Sequence, residues 1–208
     1  MSESQRGSLL LHSCCGPCST AVIERLMDDY DLTVFFYNPN MSDQQEYDRR
    51  TKAQRMVIER FNEIIGEGRE IKYIECPYEP EVFYEAVRGL ENEPEGGARC
   101  SKCFTVRLGE TARVAKEMKF DYFATTLTVS PHKDYKTISA IGKSLSQAFG
   151  VEYLDENFKK KDGFKRSIEL SKEFGLYRQN YCGCEYSIWW NQEAELIGAK
   201  EKEKGKVS

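Results

Sequence analysis

Short apolar runs alternate with segments of helical periodicity along this chain, and that alternation limits its fold more than any other feature. Residues 8–12, 32–37, 71–74, 122–126 and 151–154 are brief stretches dominated by Leu, Val, Ile, Phe, Tyr and Thr, the pattern of strands buried within a sheet. Between them, Ile23, Leu26 and Met27 form one apolar face. Ala53, Val57, Ile58 and Phe61 form another, within a long charged helix predicted from about Asp43 to Ile65. Further helices are predicted over 80–90, from about Lys102 through Phe104, Leu108, Ala112 and Ala115, and over 136–149. Such alternation implies an α/β fold, a mostly parallel sheet with helices on both faces, followed here by a helical C-terminal part. We read a single domain over residues 1–198 and a disordered Lys/Glu/Gly tail over 199–208.

In sheets of this kind ligands bind at the carboxyl ends of the strands. Cys14, Asn38, Asn40 and the loop Ser130-Pro131-His132-Lys133-Asp134 all follow predicted strands and should gather on one rim. Cys100 and Cys103 lie in the connection after the third strand and can reach the same rim.

No apolar run approaches the roughly 20 residues that span a bilayer, and the first seven residues are polar apart from Met1 and Gly7. A cytoplasmic location without membrane contact is therefore expected. The eight cysteines of the 208-residue chain gain meaning there, because a reducing compartment does not sustain structural disulfides and clustered thiols signal metal or redox chemistry. Cys76 stands apart and is expected to be a buried structural thiol. The other seven form three groups: Cys14, Cys15 and Cys18; Cys100 and Cys103; Cys182 and Cys184. The first two groups sit at predicted helix starts, where free N–H groups and the dipole favour thiolates, the metal-binding form. Cys14 and Cys15 are adjacent, so their side chains should diverge rather than share one metal atom. A four-iron cluster takes about four thiolates, which leaves three for a second metal or a redox-active pair.

Three readings compete. Cys15-Gly16-Pro17-Cys18 suggests a thioredoxin-like dithiol enzyme, which leaves the other grouped cysteines without a role. The two C-x-x-C pairs suggest a zinc-binding module, although such modules are usually small and loop-rich. A redox metalloenzyme accounts for every group. Metal analysis separates them: no metal, zinc, or iron with sulfide. The net charge of −4 argues against a general nucleic-acid coat, but Lys159, Lys160, Lys161, Lys165 and Arg166 form a dense basic turn suited to phosphate.

The segments Leu11-His12-Ser13-Cys14-Cys15-Gly16-Pro17-Cys18, Arg99-Cys100-Ser101-Lys102-Cys103-Phe104, Thr125-Thr126-Leu127 with Ser130-Pro131-His132-Lys133, and Tyr177-Arg178-Gln179-Asn180-Tyr181-Cys182-Gly183-Cys184 together resemble the QueH-type epoxyqueuosine reductases. The resemblance extends to about Ser187. It implies deoxygenation of epoxyqueuosine in a tRNA anticodon, the last step of queuosine synthesis, with a [4Fe-4S] cluster and without cobalamin. Carried onto this chain, it implies cluster ligands at Cys14, Cys15, Cys100 and Cys103, with Cys18 or the Cys182/Cys184 pair as metal ligands able to replace one of the first group, and a redox-active pair at Cys182 and Cys184. A second iron has room among the surplus thiols. Removing an epoxide oxygen as water takes two electrons and two protons. His132 and Asp134 are candidate proton donors, although an aspartate placed like Asp134 is more often a helix N-cap. Asn38, Asn40, Ser130 and Gln179 are candidate nucleoside contacts, with Lys159, Lys160 and Lys161 for the tRNA backbone. Neither a G-x-G-x-x-G nor a Walker A motif is present, so an external electron donor is expected.

Overall fold

The computed structural model describes residues 6–188; the tail expected at 199–208 lies outside the described residues. Along the chain run β1 (Gly7–His12), α1 (Gly16–Leu26), β2 (Tyr30–Phe36), α2 (Gln44–Ile65), β3 (Lys72–Glu75), α3 (Pro80–Ala86), α4 (Ala98–Glu117), β4 (Tyr122–Thr125), α5 (Tyr135–Phe149), β5 (Glu152–Tyr153) and α6 (Gly163–Glu173). The strands form one sheet in the order β3-β2-β1-β4-β5, and all four pairings are parallel. Side chains alternate across it, as the two-residue period of a strand requires. Leu9 and Leu11 join a core with Val22, Val57 and Leu170, from α1, α2 and α6. Leu10 faces the other way, to Phe104, Leu108 and Ile138 of α4 and α5. Among the described residues no helix is long and apolar enough to cross a membrane.

Several boundaries differ from expectation, β2 for example spanning Tyr30–Phe36 rather than 32–37. Helix α4 starts at Ala98, four residues before Lys102, and its N-cap Gly97 makes no side-chain cap bond, so no capping residue marked the start. Helix α3 stops at Ala86 rather than Leu90. The strand read through Thr126 ends at Thr125, whose hydroxyl accepts from the Leu127 amide at 3.1 Å and turns the chain into a 3-10 turn, Thr126–Val129.

The strand order fixes where a site can form. From β1 the chain proceeds to β2 and β3 on one side, and later to β4 and β5 on the other. The loops after β1 and β4 therefore diverge and leave a crevice at the carboxyl ends of these two strands. His12 braces that crevice. It is fully buried; its Nδ1 accepts from the Thr125 hydroxyl (2.9 Å) and its Nε2 donates to the Tyr37 carbonyl (3.2 Å). Burial, aided by the charge of Arg107, holds its pKa down to about 3. It is a neutral crosslink between the ends of β1, β2 and β4. Immediately beyond, α1 lies so close to α2 that a Cβ on Gly16 would stand 2.7 Å from the Ala53 carbonyl oxygen, so glycine is required there.

Candidate metal centre

Cys14 and Cys15 occupy the turn between β1 and α1, and Cys18 the first turn of α1. Their three Sγ atoms all lie within 4.8 Å of one another, with Cys14 and Cys15 only 3.8 Å apart. This corrects the expectation that the adjacent pair diverges. Successive side chains oppose each other in a strand, but here the strand has ended and Cys15 is the helix N-cap, which brings both thiols to one side. The spacing suits metal: thiolates at about 2.3 Å from one tetrahedral centre stand about 3.8 Å apart. Thr126, at the start of the turn after β4, fastens the group across the crevice, accepting from the Cys14 amide at 3.3 Å.

The remaining four grouped thiols form a second set. Cys100 and Cys103 lie in the opening turns of α4. Cys182 and Cys184 lie on a strap that follows α6 and passes over the rim. All four line one cavity, together with His132, Lys133 and Asp134. The C-x-x-C of α4 thus shares this cavity with Cys182 and Cys184, Cys100 also packs against the apolar cluster that includes Cys14 and Cys15, and Cys18 joins the first set. Cys76 belongs to neither; it follows β3, and burial pushes its thiol up to about 11.

The thiols are not equivalent. Hydrogen bonds from Cys15 and Cys18 pull Cys14 well below the ordinary thiol range, against the effect of burial. Burial and the hydrogen bond to Cys14 push Cys15 up to about 12. Hydrogen bonding to Cys14 and Cys15, together with burial, raises Cys18. Burial also pushes Cys103 up to about 12 and Cys184 to about 11. Without metal, the first set therefore favours one thiolate, and metal entry has to release protons from the rest. Thiols raised in this way are poor nucleophiles at neutral pH, which disfavours thioredoxin-like exchange at Cys15 and Cys18. For Lys133, burial works against the charge, but Cys182, Cys14 and Cys18 outweigh it and raise the pKa. A buried donor set made of thiols and flanked by cations fits an iron–sulfur group.

Several residues expected at the nucleoside are held by the protein itself. Asn38 is buried, donating to the Ser13 carbonyl (2.9 Å) and accepting from Arg107 Nη2 (2.6 Å), so both ends of its amide are occupied. Gln179 donates to Cys15 Sγ at 2.8 Å, which places it on the thiol set. Asn40 is buried and its Oδ1 has no protein partner. Ser130 Oγ accepts from the His132 amide (3.3 Å) within the loop after β4. Asp134 is the N-cap of α5, accepting from the Thr137 hydroxyl (2.7 Å) and amide (2.8 Å). Those bonds hold its carboxyl below the usual range, which unsuits it as a proton donor. His132 is exposed at the cavity.

The basic turn adjoins this loop, since Lys159 Nζ donates to the Lys133 carbonyl at 2.7 Å. Lys160 and Lys161 are exposed, while their carbonyls accept from Arg25 (2.7 and 2.8 Å). Arg166 is paired with Glu24 at 2.6 Å. Sequence reasoning missed the fully buried Arg50, Arg99 and Arg107. Arginines spaced along charged helices read as solvent-facing, and their spacing from Glu46 and Cys103 was the available signal.

Residues 9–189 match the family profile described as epoxyqueuosine reductase QueH. Relatives bearing that description include one from Streptococcus pyogenes serotype M1, 43% identical over 202 residues, 97% of this chain and 78% of the relative. Another, from Staphylococcus epidermidis, is 41% identical over 187 residues, 89% and 78% of the two chains. A third, from Thermotoga maritima, is 35% identical over 188 residues, 90% and 93%. Among solved structures, the U34-tRNA thiolase NcsA from Methanococcus maripaludis, described with its [4Fe-4S] cluster, aligns at a TM-score of 0.52. It is 18% identical, and the alignment covers 96% of this chain and 68% of that one. At that identity the likeness bears on the α/β fold alone.

Proposed function

This chain belongs to the QueH family of epoxyqueuosine reductases, and from that premise we propose that it reduces epoxyqueuosine in the tRNA anticodon to queuosine at its thiol-lined rim. The observation that carries the reading is the gathering of all seven grouped cysteines at the carboxyl ends of a parallel sheet, within a family match over nearly the whole chain. The reaction takes two electrons and two protons, breaks both epoxide C–O bonds, and releases the oxygen as water. The electrons come from an external donor.

Cys14, Cys15 and Cys18, with ligands drawn from Cys100, Cys103, Cys182 and Cys184, would hold the cluster. When bound, an iron–sulfur cluster supplies electrons singly. The chain's own residues do the rest. Lys133 keeps its proton and presents a fixed positive charge to the oxygen as negative charge develops there. His132, exposed at the same cavity, can pass a proton to the leaving oxygen. Gln179 and Asn40 orient groups at the rim, and the strap carrying Cys182 and Cys184 shields the centre from water. A cytoplasmic setting, alongside tRNA, goes with this activity.

Anaerobically purified protein is expected to contain iron and acid-labile sulfide, and, with a chemical one-electron reductant, to convert epoxyqueuosine-bearing tRNA into a product lighter by one oxygen atom. Absence of conversion with a filled centre would reject the activity. Conversion by a protein holding zinc and no iron would reject the cluster.

The basic turn is the proposed contact for the tRNA backbone. Changing Lys160, Lys161 and Lys165 to glutamine should weaken tRNA binding about tenfold and reduce the salt slope by about 2–3, because fewer counterions are released. The turnover rate at saturating tRNA should hold within about twofold. Unchanged affinity and slope would place the docking surface elsewhere.

A further inference from the structure

Two of the three fully buried arginines have evident counterparts. Arg50 pairs with Glu46 at 2.7 Å. Arg99 lies 4.5 Å from the centre of the Tyr186 ring and donates to the carbonyls of Leu90, Glu91 and Glu93. Arg107 differs in having a thiol beside it. It is 1% exposed and, as for Arg99, no carboxylate among the described residues lies within ion-pair distance of it and its Nε has no partner. Its guanidinium reaches Asn38 Oδ1 at 2.6 Å and Cys103 Sγ at 4.0 Å.

Burying a cation without an anion is strongly unfavourable, so buried charges are paired or serve metal sites. Here the negative charge has to come from thiols. The guanidinium donates to Cys103 Sγ, a thiol of the second set. Asn38 extends the link, accepting from Arg107 and donating to the Ser13 carbonyl beside Cys14.

We propose that Arg107 is a positioning residue of the metal centre, whose buried charge offsets the negative charge that both thiol sets contribute and so sets the potential at which the centre takes up an electron. This inference rests on the iron–sulfur reading above. Accepting an electron makes the centre more negative, and a fixed cation at close range in a weakly polar interior favours that state. Lys133, in the loop after β4, lines the cavity of the second set, so losing Arg107 lowers the compensation without abolishing it.

The test is a reductive titration of the anaerobic protein, followed by visible and paramagnetic-resonance spectra, with iron and sulfide measured in parallel. Arg107→Gln removes the charge and retains a donor for Asn38. Its reduction equilibrium should fall at least tenfold, a shift of at least about 59 mV to more negative potential for one electron. Arg107→Lys retains the charge and should titrate near the parent. Asn38→Asp keeps Arg107 and the acceptor facing it while setting a carboxylate against it, at the loss of the bond to the Ser13 carbonyl, and should shift in the same direction as the glutamine variant. If Arg107→Gln does not fold or fill, Asn38→Asp decides. A parent-like potential in whichever of Arg107→Gln and Asn38→Asp fills, or an equal shift in Arg107→Lys and Arg107→Gln, overturns the proposal. A parent protein without iron and sulfide would instead overturn the cluster reading beneath it.

Discussion

Serine in place of Cys14, Cys15 or Cys18 is expected to empty the metal centre and abolish turnover. The three Sγ atoms converge within 4.8 Å at a buried crevice, so each substitution removes a sulfur ligand that water cannot easily replace. A bound metal contributes several kcal/mol to transition-state stabilisation, so turnover should fall by about 10³-fold or more. Iron and sulfide content should fall in parallel. Cys76→Ser is the matched control, since Cys76 lies outside both sets; it should keep its iron and turn over within about twofold of the parent. If Cys15→Ser retained full iron and full activity, the first set would not be a ligand set. Equal losses in Cys76→Ser would point instead to a general sensitivity of the fold to thiol replacement.

The second large effect is expected at Glu46, far from the thiols in sequence. Glu46 is fully buried near the start of α2 and accepts from Arg50 Nε (2.7 Å), Arg49 Nε (3.1 Å) and the Tyr177 hydroxyl (2.8 Å). Arg50 in turn donates to the carbonyls of Cys182 and Tyr181, both at 3.1 Å, and lies over the Tyr181 ring. Ser42 completes the attachment through the Gly183 carbonyl. Gly183 itself has φ +117 and sits against Arg50, so no other residue suits that bend. The strap is therefore held to α2 largely through one buried ion pair. Glu46→Ala leaves Arg50 as an unpaired buried cation, which costs about 3–5 kcal/mol. For a domain of this size that corresponds to a drop in Tm of roughly 6–20 °C. In metal-free protein, Cys182 should alkylate faster than in the parent, while Cys15 changes less. An unchanged Tm together with unchanged Cys182 labelling would show that the strap is held by other means.

The parts of this architecture that can be read from residues alone are those in which one physical rule dominates. Strands β1, β2 and β4 are buried on both faces, so each reads as an apolar run, and the alternation with helices led to a parallel sheet and its ligand-binding rim. The arrangement of ligands within the rim could not be read that way. It depends on how sharply the chain turns after β1, which brings Cys14 and Cys15 together against the expectation of divergence. It also depends on the path of the strap, which sets Cys182 and Cys184 beside Cys100 and Cys103. Asn38 had the right placement for a substrate contact, but its occupied amide becomes visible only when Arg107 is seen to turn inward. Arg50 and Arg107 stand in strongly charged helices, where helical periodicity assigns arginine to solvent. Their burial follows from the thiols and Glu46 that face them, contacts between segments that periodicity cannot reveal. Asp134 shows the converse: a local rule, helix capping, accounts for the bonds its carboxylate makes.

The two thiol sets also come into being at different times. Cys14, Cys15 and Cys18 lie near the start of the chain, and Cys182 and Cys184 near position 183. At about 5–20 residues per second of synthesis, the later pair follows the earlier trio by roughly 10–30 s. For the first part of that interval β4 and the turn after it, which hold His12 through Thr125 and Cys14 through Thr126, have yet to be made, and for all of it the strap residue Gln179 is missing or only just made. The nascent trio is thus open to oxygen and to competing metals such as zinc and copper before its own pocket exists. The yield of correctly filled protein is then governed by the redox state and metal supply around the ribosome as well as by the stability of the finished fold. For the proposed metal centre, insertion into the complete site follows synthesis of the strap.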